Sequence, residues 1–220
     1  MIEFFKIIKK KVKMSRNHPH RMIFFVLSAL SLAQITCCIP ASRNSEYLTT
    51  STTAVTKTRQ WASKLTLQGV PNFHKVSEDL YRGAQPSKNG MRQLERFGIK
   101  TIVNLRSFHS DRDEIKQTNL NCEHIYMKAW HPEEEDIVKF LKIITDKNRT
   151  PIFVHCKHGA DRTGTMCAIY RIAVQGWSKD EAVEEMTKGD FGFHKFWGNL
   201  PDYIRKMDIE KIKQEAGIKY

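Results

Sequence analysis

Between Pro151 and Gln175 the chain passes from a short apolar run, Pro151-Ile152-Phe153-Val154-His155, to a helical pattern over Thr163–Gln175 that stops at Gly176. Only the stretch from Cys156 to Arg162 joins the two. No other feature restricts the fold as strongly, because a buried strand tied this closely to a helix forms one step of a layered α/β structure. Such a junction also turns unpaired backbone N–H groups toward an anion, and the helix dipole adds positive potential there. The segment His155-Cys156-Lys157-His158-Gly159-Ala160-Asp161-Arg162-Thr163-Gly164 is therefore a candidate phosphate cradle.

The residue types in this cradle fit that chemistry. Cys156 opens the loop, where the positive potential favours the thiolate, the nucleophilic form. Arg162 closes it, and its planar guanidinium can bind two oxygens of one phosphoryl group. Gly159 permits a backbone bend that a side chain would obstruct. Lys157, His158, Gly159, Ala160 and Thr163 are the expected substrate-binding positions, with Lys157 and His158 biasing the mouth toward polyanions. A metal cluster of His155, Cys156 and His158 is not expected. Adjacent residues at a strand end point apart, and no second ligand set has zinc spacing. His155 is expected to orient the loop through hydrogen bonds, and Cys122 and Cys167 to pack.

The surrounding pattern continues the alternation. Phe73–Tyr81 reads as an opening strand or hairpin closed by a turn at Gly83–Pro86. Ser87 caps a helix bearing Met91, Leu94 and Phe97, stopped by Gly98. Thr101–Leu105 and His124–Met127 read as strands, and Pro132 as the first residue of a helix with Glu133–Asp136 in its first turn. Ser178 and Glu181 form a capping box, and a last helix covers about 201–213. Phe191, Phe193, His194, Phe196 and Trp197 are expected to pack over the sheet, with lining of the pocket as the alternative. Strands alternating with helices predict an α/β fold with a central, largely parallel sheet flanked by helices.

The ends of the chain carry a different signal. Of the net charge of +12 over 220 residues, half falls within residues 1–21, so the basicity belongs to a leader and not to a nucleic-acid-binding face. Seven Lys/Arg precede an apolar run from Met22 to about Ala33, with Cys37 and Cys38 beyond it. Residues 1–40 thus read as a signal peptide, or as a membrane or lipoprotein anchor. Either places the remainder outside the cytoplasm, periplasmic or membrane-anchored. Residues 41–60 contain nine Ser or Thr and form a linker. The working domain is 61–220. A mean hydropathy of −0.49 excludes a multi-span membrane protein.

The Cys-x5-Arg-Thr-Gly arrangement resembles the cysteine-dependent protein tyrosine phosphatase superfamily, and within it the compact bacterial dual-specificity-like phosphatases. Leu80-Tyr81-Arg82-Gly83-Ala84-Gln85-Pro86 and Val103-Asn104-Leu105-Arg106 carry the same likeness, which runs over about 60–210. The resemblance implies a two-step reaction through a cysteinyl-phosphate, with Cys156 and Arg162 catalytic and no metal or organic cofactor. The substrates it implies are phosphotyrosine or phosphoserine proteins, inositol phosphates or phosphoinositides. A Lys directly after the nucleophile also occurs in members that act on inositol lipids.

One departure concerns the general acid. Most of the superfamily carries an Asp some thirty residues before the Cys, where this chain reads Tyr126-Met127-Lys128-Ala129-Trp130-His131-Pro132. The candidates are Asp161, inside the cradle, and Glu133–Asp136. If not the acid, Asp161 is expected to orient Arg162. Two other functions use similar parts: a rhodanese-type sulfurtransferase, which Asp161 and Thr163-Gly164 disfavour, and a catalytically weak phosphate-binding module. A thiosulfate–cyanide assay separates the first, and turnover of an aryl phosphate the second.

Overall fold

The computed structural model describes residues 59–219. The leader and all but the last two residues of the expected linker lie outside the described residues. Arg59 and Gln60 are held on the domain: Arg59 Nη2 donates to the Gly176 carbonyl at 2.8 Å, and the Gln60 carbonyl accepts from Arg171 Nη2 at 3.3 Å. Among the described residues no helix is long and apolar enough to cross a membrane.

Six strands form one sheet: β1 (Ser63–Lys64), β2 (His74–Lys75), β3 (Leu80–Ala84), β4 (Thr101–Asn104), β5 (Asn121–His124) and β6 (Ile152–Cys156). Their order is β1-β2-β3-β6-β4-β5. The pairs β3–β6, β6–β4 and β4–β5 are parallel, while β1–β2–β3 is an antiparallel edge. Six helices complete the domain: α1 (Lys88–Phe97), α2 (Glu134–Thr145), α3 (Asp161–Ala173), α4 (Lys179–Lys188), α5 (Asn199–Lys206) and α6 (Ile209–Ala216).

The central strand shows how sequence becomes architecture. Side chains alternate across a sheet, so Ile152, Val154 and Cys156 enter the core formed with α2 to α6. Phe153 enters the smaller core with Met91, Leu94, Ile102 and Tyr81. All of β6 is buried, and an apolar side chain fully removed from water contributes about 1.5–3 kcal/mol. Both sides of β6 are covered. The alternation also sends Cys156 toward α3 and His155 to the opposite face.

Local chemistry sets the helix ends. Ser87 accepts from the Gly90 N–H, and Gly98 closes α1 in the left-handed region at φ 101°. The Ser178–Glu181 capping box opens α4 as the sequence indicates.

Several boundaries differ from expectation. β3 runs through Gly83 and Ala84, which pair with His155 and Cys156, so the turn begins later. The strand expected at His124–Met127 is instead Asn121–His124. Ile125 and Met127 are buried beyond the ladder, whereas β5 is an edge strand with exposed polar residues, which reverses the apolar signal. Pro132 lies outside α2, which starts at Glu134 after an extended Glu133. The last helix divides at Met207, because the Asp208 side chain caps a new helix by accepting from the Lys211 N–H. Cys167 packs as expected, but Cys122 is exposed on the edge strand.

Candidate active site

The loop Lys157–Ala160 connects β6 to α3, and β3 lies directly beneath it. Gly159 has φ +72°, and a Cβ there would meet the Gly83 carbonyl carbon and oxygen at 2.4 Å. The glycine is required twice over, by its backbone conformation and by this close approach. Asn72 Nδ2 donates to the His158 carbonyl at 3.0 Å, and Arg82 Nη2 to the Gly159 carbonyl at 2.8 Å.

Cys156, 3% exposed, lies at the base of a cavity of about 310 Å3. Lys157, His158, Asp161 and Arg162 line it from the loop and the first turn of α3. Arg162 is aimed by two carbonyls: its Nη1 donates to Leu105 at 3.2 Å and to Met127 at 3.5 Å. Thr163 is buried, with its hydroxyl lacking a protein hydrogen-bond partner. Ala160 is buried at the helix entry, and Gly164 donates its N–H to the Ala160 carbonyl at 2.8 Å. Burial, with the adjacent Lys157 charge second, lowers His158 below its ordinary pKa.

Asp161 lines the cavity, but its partner is not the one the sequence suggests. Its Oδ1 accepts from the His194 backbone N–H at 2.9 Å and its Oδ2 meets His194 Nδ1 at 2.8 Å. It is thus paired with His194, while the guanidinium of Arg162 rests on backbone carbonyls. The rival acids are held elsewhere: Glu133 by Lys128 at 2.6 Å and Glu134 by Lys211 at 2.5 Å. Burial, then the charges of Glu133 and Glu135, raise Asp136. None of these lines the Cys156 cavity.

The aromatic C-terminal cluster does both things the sequence allows: Phe191 is buried and Phe193 and Trp197 pack against the main core, while part of the segment reaches the cavity. His194, Phe196 and Trp197 line the Cys156 cavity. The 3-10 turn at Lys195–Trp197 presents this segment at the cavity mouth.

His155 does orient through hydrogen bonds. On the face opposite Cys156, its Nε2 meets Asp111 Oδ2 at 2.7 Å, and Gln85 Nε2 donates to Asp111 Oδ1 at 2.8 Å. Arg106 Nη1 donates to Gln85 Oε1 at 3.0 Å and extends the chain outward. Burial alone would raise the Asp111 carboxyl. The hydrogen bond and charge of His155, with Gln85 and His109 adding, outweigh it and hold the group below its ordinary value.

A second cavity of about 230 Å3 shares Ala129, Lys157 and Arg162 with the first and adds Arg106, Phe108 and Trp130. A larger one, about 660 Å3, lies between Arg59, Trp61, Ser77 and Trp177 and contains no loop residue. Three possible metal-ligating side chains, His109, Asp111 and Glu114, bring donor atoms within 4.8 Å of one another. His109 faces Asp111 and Glu114 at 3.7 and 3.6 Å.

The sequence assigns no site role to Asp111, Arg106 or Arg82, and offers His194 only within a cluster that packs over the sheet or lines the pocket. His194 and Asp111 lie 33 and 44 positions from their partners, beyond any local period. Arg82 did leave a signal, a charge inside the otherwise uncharged strand Leu80–Ala84.

A thiol at the end of a parallel strand, a glycine-bent loop and an arginine at the entry of the next helix define a cysteine-dependent phosphatase of the dual-specificity type. The comparisons agree. Residues 63–197 match the family described as DSP-PTPase phosphatase fused to NAD+ kinase. Dual specificity protein phosphatase TpbA of Pseudomonas aeruginosa is 32% identical over 164 residues, covering 73% of each chain. Inositol diphosphatase DSP5 of Arabidopsis thaliana is 29% identical over 158 residues, covering 66% of this chain and 73% of that one. The crystal structure of P. aeruginosa TpbA superimposes with a TM-score of 0.65 at 29% identity, over 74% of this chain and 99% of the other. The core catalytic domain of PP-IP phosphatase SIW14 from S. cerevisiae shares the fold, with a TM-score of 0.61 at 24% identity over 69% and 94%. The chain belongs to the DSP-PTPase family and is a phosphatase of the protein tyrosine/dual-specificity type. The sulfurtransferase alternative is set aside.

Proposed function

We propose that the protein hydrolyses phosphate esters through a cysteinyl-phosphate formed on Cys156. The observation that carries this reading is the shared cavity, in which the Cys156 thiol and the Arg162 guanidinium face one space at the start of α3. The sulfur attacks phosphorus, the bond to the leaving oxygen breaks, and Arg162 with the loop N–H groups holds the non-bridging oxygens. The leaving oxygen takes a proton from the Asp161–His194 pair. Water then gives a proton to the same pair and attacks the phosphocysteine, which breaks the S–P bond and restores the thiolate. Asp161 accepts from the His194 backbone N–H and lies against its ring Nδ1, so it acts as the anchor of the pair and the imidazole as its exchanging end.

The substrate is a polyanion of the inositol phosphate class. Two adjoining cavities share Lys157 and Arg162 as a wall, and Arg106 adds a third cation in the second cavity. A phosphorylated protein is the second reading, favoured by the aromatic rim of Phe108, Trp130 and Phe196. Residues 1–40 act as an export leader, on the strength of the basic segment and apolar run.

Phosphate release by the purified protein from phosphotyrosine and phosphoserine peptides, inositol phosphates and phosphoinositides tests the reading. Cys156→Ser is expected to abolish turnover. Arg162→Lys is expected to lose most of it, because a point charge cannot replace the fork. Undiminished turnover in Cys156→Ser overturns the mechanism, and no release from any of the four classes leaves a phosphate-binding module.

A further inference from the structure

Arg82 is a charge buried without an ionic partner. It is 1% exposed on β3, and among the described residues no carboxylate forms a salt bridge with it. Its Nη2 donates to the Gly159 carbonyl at 2.8 Å, its guanidinium lies 3.8 Å from the centre of the Phe191 ring, and its Nε is buried with no hydrogen-bond partner. Isolated buried charges are costly and persist where another charge compensates them.

The groups facing it are few. Cys167 and Arg171 approach from α3, Glu185 from α4, Cys156 from the end of β6, and His74 from β2. Glu185 is already committed to Arg171, whose Nε and Nη2 reach its two oxygens at 2.8 and 2.6 Å. Burial, first, pushes the Cys167 thiol up to about 11, so it supplies no anion. Burial lowers His74, and an imidazole can carry only positive charge, so it offers Arg82 no counter-ion. Cys156 remains. In the parallel register Arg82 pairs with Val154 and Ala84 with Cys156, so Arg82 and Cys156 share a face, with Cα atoms about 8 Å apart by strand spacing.

We propose that Arg82 is a positioning residue of the phosphatase reaction: its buried guanidinium fixes the Gly159 peptide and supplies the standing positive charge that the Cys156 thiolate, and then the phosphate, balances. In a trans peptide the carbonyl and the next N–H point opposite ways. Holding the Gly159 oxygen toward Arg82 therefore directs the Ala160 N–H into the loop. The charge lies behind the nucleophile and in front of no solvent, so salt does not screen it.

This inference rests on the phosphatase reading, and the experiment separates the two. In the full chain, alkylation of Cys156 by iodoacetamide is followed from pH 5 to 9, with Cys156→Ser as the blank, alongside phosphate release and circular dichroism. Arg82→Gln is expected to move the half-point of alkylation up by about one pH unit or more, roughly tenfold slower reaction on the acid side. Arg82→Lys keeps the charge but loses the fork; it is expected to hold the half-point within about 0.3 unit while kcat falls about tenfold. A folded Arg82→Gln with the wild-type half-point overturns the proposal. If Arg82→Gln does not fold, Arg82→Lys decides: a shifted half-point or an unchanged kcat overturns it. Failure of the phosphatase reading looks different, as normal alkylation of the wild type without phosphate release.

Discussion

His194 holds both oxygens of Asp161, its backbone N–H reaching Oδ1 at 2.9 Å and its ring Nδ1 lying 2.8 Å from Oδ2. The residue that the cradle offers as an acid is thereby an acceptor, and the segment that follows α4 supplies the imidazole. His194→Gln and Asp161→Asn are each expected to lose roughly 10²–10⁴-fold in kcat/KM, which reports the phosphoryl transfer to Cys156 and not the later hydrolysis, on an alkyl phosphate. Both should lose much less on an activated aryl phosphate, whose leaving group needs no proton. Rates on the two esters check this, and equal losses on both would reduce the pair to a structural tie.

Asp111 links His155 on the back of β6 to Arg106 through Gln85. Its carboxyl is held below its ordinary value, so its contribution to stability is complete above the unfolded value of about 3.9 and declines as pH falls through the lower folded value. Asp111→Asn is expected to cost about 1–3 kcal/mol at pH 7, with His155 losing a charge-assisted bond. The difference from wild type should narrow only below about pH 4. Urea unfolding at pH 7 and pH 3 measures it, and a gap that is unchanged at the lower pH would contradict it.

The buried pair Arg171–Glu185 ties the domain's first residues to its interior, since Glu185 Oε1 also accepts from the Ala62 N–H at 2.7 Å. Glu185→Gln leaves the guanidinium uncompensated and is expected to destabilise by about 3–5 kcal/mol. Thermal melting reads this. Deleting residues 1–62 should also lower Tm relative to deleting 1–58, because it removes the Gln60 and Ala62 partners.

Location is tested in living cells. A reporter active only outside the cytoplasm, fused after Gln60, is expected to be active, and a cytoplasm-only reporter at the same position inactive. The opposite pattern would remove the export role from residues 1–40.

Much of the site was legible in the sequence because it is local. Cys156, Gly159 and Arg162 lie within seven residues, and one strand, one bend and one helix entry bring them together through backbone geometry alone. The alternation of β6 was equally readable, since a period of two assigns each side chain a face once the strand is buried. So were α1 and α4, whose caps Ser87, Gly98 and Ser178 act on their own turns. Burial patterns misled where a segment packs without pairing across the sheet, as Met127 does beyond the short ladder of β5.

The tertiary structure alone decided the partners. Asp161 meets His194, His155 meets Asp111, and Arg82 reaches under Gly159, each across 33 to 77 positions of chain. Such pairings follow from strand order and from how segments return over the sheet, and no local period records them. The sequence by itself determined the loop that joins Cys156 to Arg162 and the layered fold, because those depend on near-neighbour geometry. Which charges balance one another inside the domain depended on the packing of distant segments, because electrostatic interactions follow separation in space and burial, not separation along the chain.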